Sequence, residues 1–344
     1  MNVGVGVGVV AVPGATLRYE TRGSGPVLLL VPGGAGDAGM YEGMADRLAA
    51  AGYTVVSYDQ RGLSRSPLDG PLTDQSVAEW ADDALAVLDA VSPDGDEPAY
   101  VFGGSSGGIV ALALLARHPG RVRRVVAHEP PLVELLADPA PYRDHFAEVR
   151  ELQRTQGLGA AMARFAETPD GRKPESDHPK SEGHPESEGH PKSEGHPDPD
   201  HPESERHPDL DHPEPERRQS GHPQSENPDP ENQQTAELPP SIRQMADRMK
   251  ANMPVFLEHV LCPFSSSAPD LDGLRAAAGK LVLGVGRETG DQEALVGPAR
   301  RLAESTGAAT VEFPGGHVGC VEHPEEFAEL LLDVLAGTLT ATRR

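Results

Sequence analysis

The sequence predicts an α/β protein: a mostly parallel sheet with helices on both faces and a helical insertion. Three observations carry that expectation. Short apolar runs alternate with longer segments of helical period over the first 130 residues, and the same rhythm returns after residue 280. Between the two lies a stretch that is helical and free of strands, and a polar tract divides it.

The elements follow in order. Residues 1–12 alternate Val and Gly, and this period of two reads as a first, partly frayed strand. Residues 17–21 and 27–31 are the next strands; the second is apolar at every position, as in a strand buried on both faces. A helix spans 40–51, and Gly52 is placed to stop it. Strand 53–58 precedes helix 75–91, whose Val77, Trp80, Ala84, Val87 and Leu88 share one face. Strand 100–102, helix 106–117 and strand 122–127 complete the front half, and crossovers of this length imply a right-handed, parallel sheet. Helices are expected at 141–158, 160–166 and 242–260. The back half repeats the rhythm with strand 280–285, helix 292–305, strand 310–313 and helix 324–335.

The chain divides accordingly into a core at 1–131 and 271–344 and a cap at 132–173 and 236–270, with the tract at 174–235 inside the cap. The tract holds one large aliphatic residue (Leu210), thirteen prolines and eight histidines, and every one of those histidines precedes a proline. Such a composition cannot bury enough apolar area to offset the cost of ordering a chain, about 1–2 kcal/mol per residue, and disorder is expected there. Capture of a metal by its histidines is the functional alternative, although spacings of five or six residues in a flexible chain specify no coordination geometry.

The tract's seventeen acidic and five basic residues supply half of the net charge of −24. That charge argues against a grip on nucleic-acid phosphates or an anionic membrane surface. No run approaches the roughly 20 apolar residues of a membrane span, and the start lacks the basic region of a secretory signal. Cys262 and Cys320 are too few for a disulfide framework. A cytoplasmic location is expected.

The densest chemical signal is YVFGGSSGGIVAL at 100–112, where a strand runs through glycines and serines into a helix. This is the G-x-S-x-G pattern of a nucleophile elbow, a tight strand-to-helix turn that lifts a serine hydroxyl above the sheet. Two frames fit, Gly103/Ser105/Gly107 and Gly104/Ser106/Gly108. The first begins directly after Phe102, the last apolar strand residue, so Ser105 is the chosen nucleophile. A phosphate-binding loop is the alternative, but the lysine of a P-loop and the G-x-G-x-x-G spacing are both missing.

At this point the sequence resembles the α/β-hydrolase family, and four landmarks carry the resemblance over residues 15–135 and 270–336. LLLVPGGAG at 28–36 is similar to the family's oxyanion loop, with Pro32 where histidine is common. SYDQRGLSRS at 57–66 resembles the Asp-x-Arg-Gly-x-Gly-x-Ser turn, with Leu63 and Ser64 around the second glycine's place. The elbow is the third landmark, and FPGGHVG at 313–319 looks like the catalytic-histidine loop.

The resemblance implies a serine hydrolase with a helical cap. His317 would be the base, and the oxyanion donors would be the backbone N–H groups of Gly34 and Ser106. His118, His128 and Cys320 are expected to pack or face solvent, and Asp59 and Arg61 to form a structural pair bracing the oxyanion loop.

The acid has two candidates. Family members commonly carry an aspartate in a Gly-x-x-Asp turn after strand 280–285. Counted from Gly286 that position is Thr289, with Glu288 one residue early and Asp291 two late. Another subset of the fold places a carboxylate at the end of the strand after the elbow helix, where Glu129 stands, stiffened by Pro130 and Pro131. The implied substrate is a small molecule with an ester, lactone, thioester or amide bond, cleaved in a carboxylesterase-like or aminopeptidase-like way (EC 3). No metal or organic cofactor is implied, and the oligomeric state is not readable. A non-catalytic small-molecule receptor on the same fold is the reading that a missing acid would allow.

Overall fold

The protein is seen in a computed structural model, and the structure describes residues 4–93, 97–169 and 240–338. The tract expected at 174–235 lies outside the described residues, as do the adjoining ends of the two cap segments. Among the described residues one eight-stranded sheet runs in the order β1-β2-β4-β3-β5-β6-β7-β8. Its strands are β1 (Gly6–Val12), β2 (Ala15–Arg22), β3 (Val27–Val31), β4 (Thr54–Tyr58), β5 (Ala99–Gly104), β6 (Val122–His128), β7 (Leu281–Gly286) and β8 (Ala309–Phe313). β1 and β2 are antiparallel, and all pairings from β4 to β8 are parallel. The carboxyl ends of six strands therefore meet along one edge, where sites on open α/β sheets assemble.

The period of two along the central strands splits the core into two layers. Leu29 and Val31 of β3 face one layer, with Val101, Val125 and Leu283. α2 (Val77–Val91), α3 (Ser106–Arg117) and α9 (Glu293–Thr306) cover it through Ala84, Leu88, Leu112, Leu115 and Leu302. Leu28 and Leu30 face the other layer, with Phe102 and Val126. There α1 (Glu42–Ala50) and α11 (Pro324–Ala336) contribute Met44, Leu48, Phe327 and Leu331. Each layer removes its apolar side chains from water, worth about 25 cal/mol per Å² buried.

Between β6 and β7 the chain leaves the sheet, and the described elements of this interval are helical. The helices expected at 141–158 and 160–166 are both present, and Gly157, whose φ is +83°, lets the chain turn from the first into the second. The two are α4 (Ala140–Gln156) and α5 (Leu158–Phe165). The helix expected at 242–260 is α6 (Pro240–Val255), followed by a π-helical turn at Phe256–Val260 and by α7 (Leu261–Ser265). Pro263 of α7 lies just beyond this turn, and having no N–H to donate and a ring that crowds the carbonyl of His259 it suits the wider winding there. α7 seats the insertion on the core, where Phe264 meets Trp80 of α2 edge-on at 4.7 Å. The short α8 (Leu271–Ala276) was not anticipated from periodicity. Finally, α10 (Gly319–Glu322) is a single turn after the His317 loop.

The first strand expected within 1–12 is β1, and its Val7 and Val9 are exposed, because β1 is the edge of the sheet. One sequence expectation needs correction. Asp59 and Arg61 do not pair. A tight turn at 60–66, closed by Gly62 N–H donating to the Ser66 carbonyl at 2.8 Å, brings Arg65 back over Asp59. Arg65 Nε and Nη2 donate to the Asp59 carboxylate at 2.7 and 2.9 Å, whereas Arg61 grips Asp83 of α2 at 2.6 and 2.5 Å. The bracing itself is present, since Asp59 also accepts the Ala38 N–H at 3.0 Å.

Candidate active site

β5 runs into α3 through Ser105, whose φ of +54° and ψ of −127° are unusual for a side-chain-bearing residue. Such a backbone costs of order 1–3 kcal/mol and persists only where its surroundings over-determine it. Here they do. A Cβ on Gly103 would lie 2.2 Å from the Gly107 carbonyl oxygen, and one on Gly107 would lie 2.2 Å from that of Val31. A Cβ on Gly104 would meet only the Tyr41 hydroxyl, at 3.4 Å. The close backbone approaches therefore belong to the frame centred on Ser105. Its N–H donates to the His128 carbonyl at 2.9 Å, tying the turn to β6. Ser106 is the first residue of α3, and its N–H has no acceptor among the described residues.

The loop after β3 packs directly on this turn, since a Cβ on Gly33 would lie 2.3 Å from the Gly104 carbonyl oxygen. Gly34 has φ +55° and open space where a side chain would stand, so a ligand can approach its backbone. The Gly34 N–H donates to Ser106 Oγ at 2.8 Å. Sequence reasoning gave no hint of that bond.

Glu129 follows β6 with φ +45°, another non-glycine residue in left-handed backbone. Its N–H donates to the Gly284 carbonyl at 3.0 Å, which extends the β6–β7 ladder by one residue and turns the side chain inward. The carboxylate is fully buried. Oε1 accepts the Gly286 N–H at 2.7 Å, and Oε2 lies 2.8 Å from His317 Nδ1. Burial works to raise the Glu129 pKa, but the His317 hydrogen bond and nearby polar groups outweigh it and hold the carboxyl below its ordinary range. Thr289 Oγ1 adds to this lowering without meeting full hydrogen-bond geometry.

Glu288 is not brought to His317. Its N–H donates to the Gly315 carbonyl at 2.9 Å and its side chain is exposed. Thr289 is the residue of that turn which points inward, and it is buried. The one-residue offset therefore sets which residue of that turn faces inward, because in a tight turn it reverses the direction of the side chain.

His317 sits in the loop after β8, with 27% of its side chain exposed. Gly286 and Gly319 give that loop its path, for a Cβ on them would lie 2.6 Å from the Gly316 carbonyl oxygen and 2.1 Å from that of Pro314. With Nδ1 engaged by Glu129, Nε2 is the nitrogen left for proton exchange. Ser105 Oγ makes no hydrogen bond to the ring; bonds between a nucleophile and its base tighten in the complex with substrate.

The remaining singled-out residues pack as expected. His128 is buried edge-on to Phe313 and Phe327, and burial pushes its pKa down to about 4, so the ring is neutral. His118 faces Asp82 at 3.5 Å on the surface. Both cysteines are free thiols, and burial pushes the Cys320 thiol up to about 12, which makes it inert. Among the described residues no cluster of His, Cys, Asp and Glu could hold a metal, and no helix is long and apolar enough to cross a membrane.

Known proteins resemble the chain in both sequence and fold. It is 46% identical over 129 residues to the uncharacterized hydrolase YraK of Bacillus subtilis (strain 168), covering 38% of this chain and 46% of that one. It is 36% identical over 135 residues to a zearalenone hydrolase of Bionectria ochroleuca, covering 38% of this chain and 50% of that one. The chain thus spans about half the length of these curated relatives. An esterase (EaEST) of Exiguobacterium antarcticum superposes with a TM-score of 0.62 at 16% identity, over 95% of this chain and 98% of that one. The family model described as alpha/beta hydrolase fold matches residues 26–212, more than half of the chain. The chain belongs to the alpha/beta hydrolase fold family.

Proposed function

We propose that the chain is a serine hydrolase that cleaves an ester, lactone or small amide bond of a small molecule through Ser105, His317 and Glu129. The observation that carries this reading is the fully buried Glu129 carboxylate at 2.8 Å from His317 Nδ1, beside a strained serine at a strand-to-helix turn. Ser105 Oγ attacks the acyl carbon while His317 Nε2 takes its proton, and the imidazolium formed is stabilised by Glu129. The tetrahedral oxyanion accepts hydrogen bonds from the Ser106 and Gly34 N–H groups, so the Gly34 bond to Ser106 Oγ is exchanged for one to substrate. His317 then returns the proton to the leaving group. Water, deprotonated by the same nitrogen, resolves the acyl-enzyme.

In this reading the cap is 132–173 with 236–270, and the core is 1–131 with 271–344. The cap helices carry partly buried apolar residues, Met162, Phe165 and Met253 among them, which favours a hydrophobic substrate, and a zearalenone hydrolase is among the relatives. The receptor alternative drew on the absence of a carboxylate at position 289, and Glu129 removes that support. Acid quenching during turnover of p-nitrophenyl butyrate tests the proposal. A butyryl group on the peptide carrying Ser105 is the expected result, and an unmodified protein during steady turnover would refute it.

A further inference from the structure

The loop bearing Gly34 is held from two sides, and one of them is the cap. On the core side Asp59 accepts the Ala38 N–H, Ser57 Oγ donates to the Ala38 carbonyl at 2.9 Å, and Gln60 donates to the Pro32 carbonyl. On the cap side two residues of α6, one turn apart, reach down. Arg248 Nε donates to the Asp37 carboxylate, which is fully buried and also accepts the Gly39 N–H at 2.8 Å. Asn252, only 5% exposed, makes three hydrogen bonds. Its Nδ2 donates to the Ala35 carbonyl at 3.0 Å and to Ser64 Oγ at 2.8 Å, and its Oδ1 accepts the Ser64 N–H at 2.9 Å.

Ser64 explains why the grip is needed. Its φ of +49° suits glycine, and serine holds it here under strain. The Asn252 amide fixes both its N–H and its hydroxyl, and the hydroxyl passes on a hydrogen bond to Asp37 Oδ2 at 3.1 Å. A glycine would relieve the strain and lose this bridge. Ala35 and Asp37 flank Gly36 just beyond Gly34, so a shift of α6 moves the backbone that aims the Gly34 N–H. An oxyanion donor works only when aimed in advance.

We infer that Asn252 and Arg248 are positioning residues through which a seated cap helix α6 sets the geometry of the oxyanion loop. The inference rests on the serine-hydrolase reading above. It is tested by the rate of Ser105 labelling with a fluorophosphonate probe and by kcat and KM on p-nitrophenyl butyrate.

Asn252→Ala is expected to lower kcat and the labelling rate by about thirtyfold while KM stays within about threefold, because an oxyanion donor acts mainly in the transition state. Arg150→Ala supplies the control. It breaks a different tie from α4 to the core, the 2.5 Å pair with Asp74, and should leave both rates within about threefold. If Asn252→Ala does not fold, Arg248→Ala carries the same expectation, with Arg248→Lys restoring part of the rate.

Labelling of folded Asn252→Ala or Arg248→Ala at the wild-type rate would overturn the inference alone. So would an equal loss in Arg150→Ala, which would make any loosening of the cap sufficient. A wild-type chain that takes no label at Ser105 would overturn the hydrolase reading and this inference with it.

Discussion

Glu129 Oε2 and His317 Nδ1 lie 2.8 Å apart although 188 residues separate them in sequence. The carboxylate is fully enclosed, and the Gly286 N–H holds its other oxygen, so it cannot swing away from the ring. That fixes the imidazole's tautomer and leaves Nε2 free of the carboxylate, the nitrogen that takes the Ser105 proton in the proposed mechanism.

Removing the charge while keeping the shape tests that pairing. Glu129→Gln should lower kcat by about three to four orders of magnitude, since the amide stabilises the wrong tautomer and no imidazolium. Glu288→Gln, on an exposed side chain, should cost less than about tenfold. Steady-state kinetics with a substrate whose acylation is rate-limiting makes the comparison. Equal losses would return the two carboxylates to parity.

His128 gives the fold an acid sensitivity of definite sign. Its pKa falls from the ordinary 6.5 to about 4 on folding, so the unfolded chain binds the proton more readily. The stability it contributes is fully present above about pH 6.5 and is lost as pH falls toward 4, about 2 kcal/mol of it by pH 4.5. Urea unfolding at pH 7 and 4.5 should show a drop in stability that His128→Leu reduces by about that amount. Glu129, whose pKa is depressed, adds a loss at lower pH, as the carboxyl protonates through its folded value. An unchanged drop in His128→Leu would remove His128 from the acid response.

The elbow's steric frame separates two adjacent glycines. Gly103→Ala places a methyl group 2.2 Å from a backbone oxygen and should cost about 1–3 kcal/mol or more, with loss of Ser105 reactivity. Gly104→Ala meets only the far end of Tyr41, and should retain reactivity and nearly all stability. Thermal melts of the two variants decide it; similar melts would mean that the turn is looser than its contacts indicate.

Ser106 contributes a backbone donor that alanine keeps. Ser106→Ala removes the hydroxyl that accepts the Gly34 N–H, leaves both oxyanion donors in place, and should change kcat by less than about tenfold. A loss of about a hundredfold or more would give the hydroxyl itself a role in holding the loop.

What could be read from the sequence divides by the range of the forces involved. The Ser105 turn was legible because its constraint is local: Gly103 and Gly107 nearly touch within five residues. Strand and helix positions were legible from periodicity, including the break between the helices now seen as α4 and α5, whereas the π-helical turn inside the segment expected as one helix at 242–260 was not. The acid was narrowed only to Glu129 or Glu288, because the choice depends on how β6 and β7 align and on which way a turn aims one side chain. The exchange of Arg61 for Arg65 at Asp59 has the same cause at shorter range. Asn252, Arg248 and Asp37 gave no signal, since their partners come from elements 188 and 211 residues apart and a polar residue in a helix looks like any solvated face.

The central claim is that Ser105 is a nucleophile activated by His317. Reaction of the purified chain with a fluorophosphonate probe, followed by digestion and mapping of the labelled peptide, tests it most directly. A single label on Ser105, absent from Ser105→Ala and retained in Ser106→Ala, is the predicted result. A label on Ser106, or a folded wild-type chain that remains unlabelled, would contradict it.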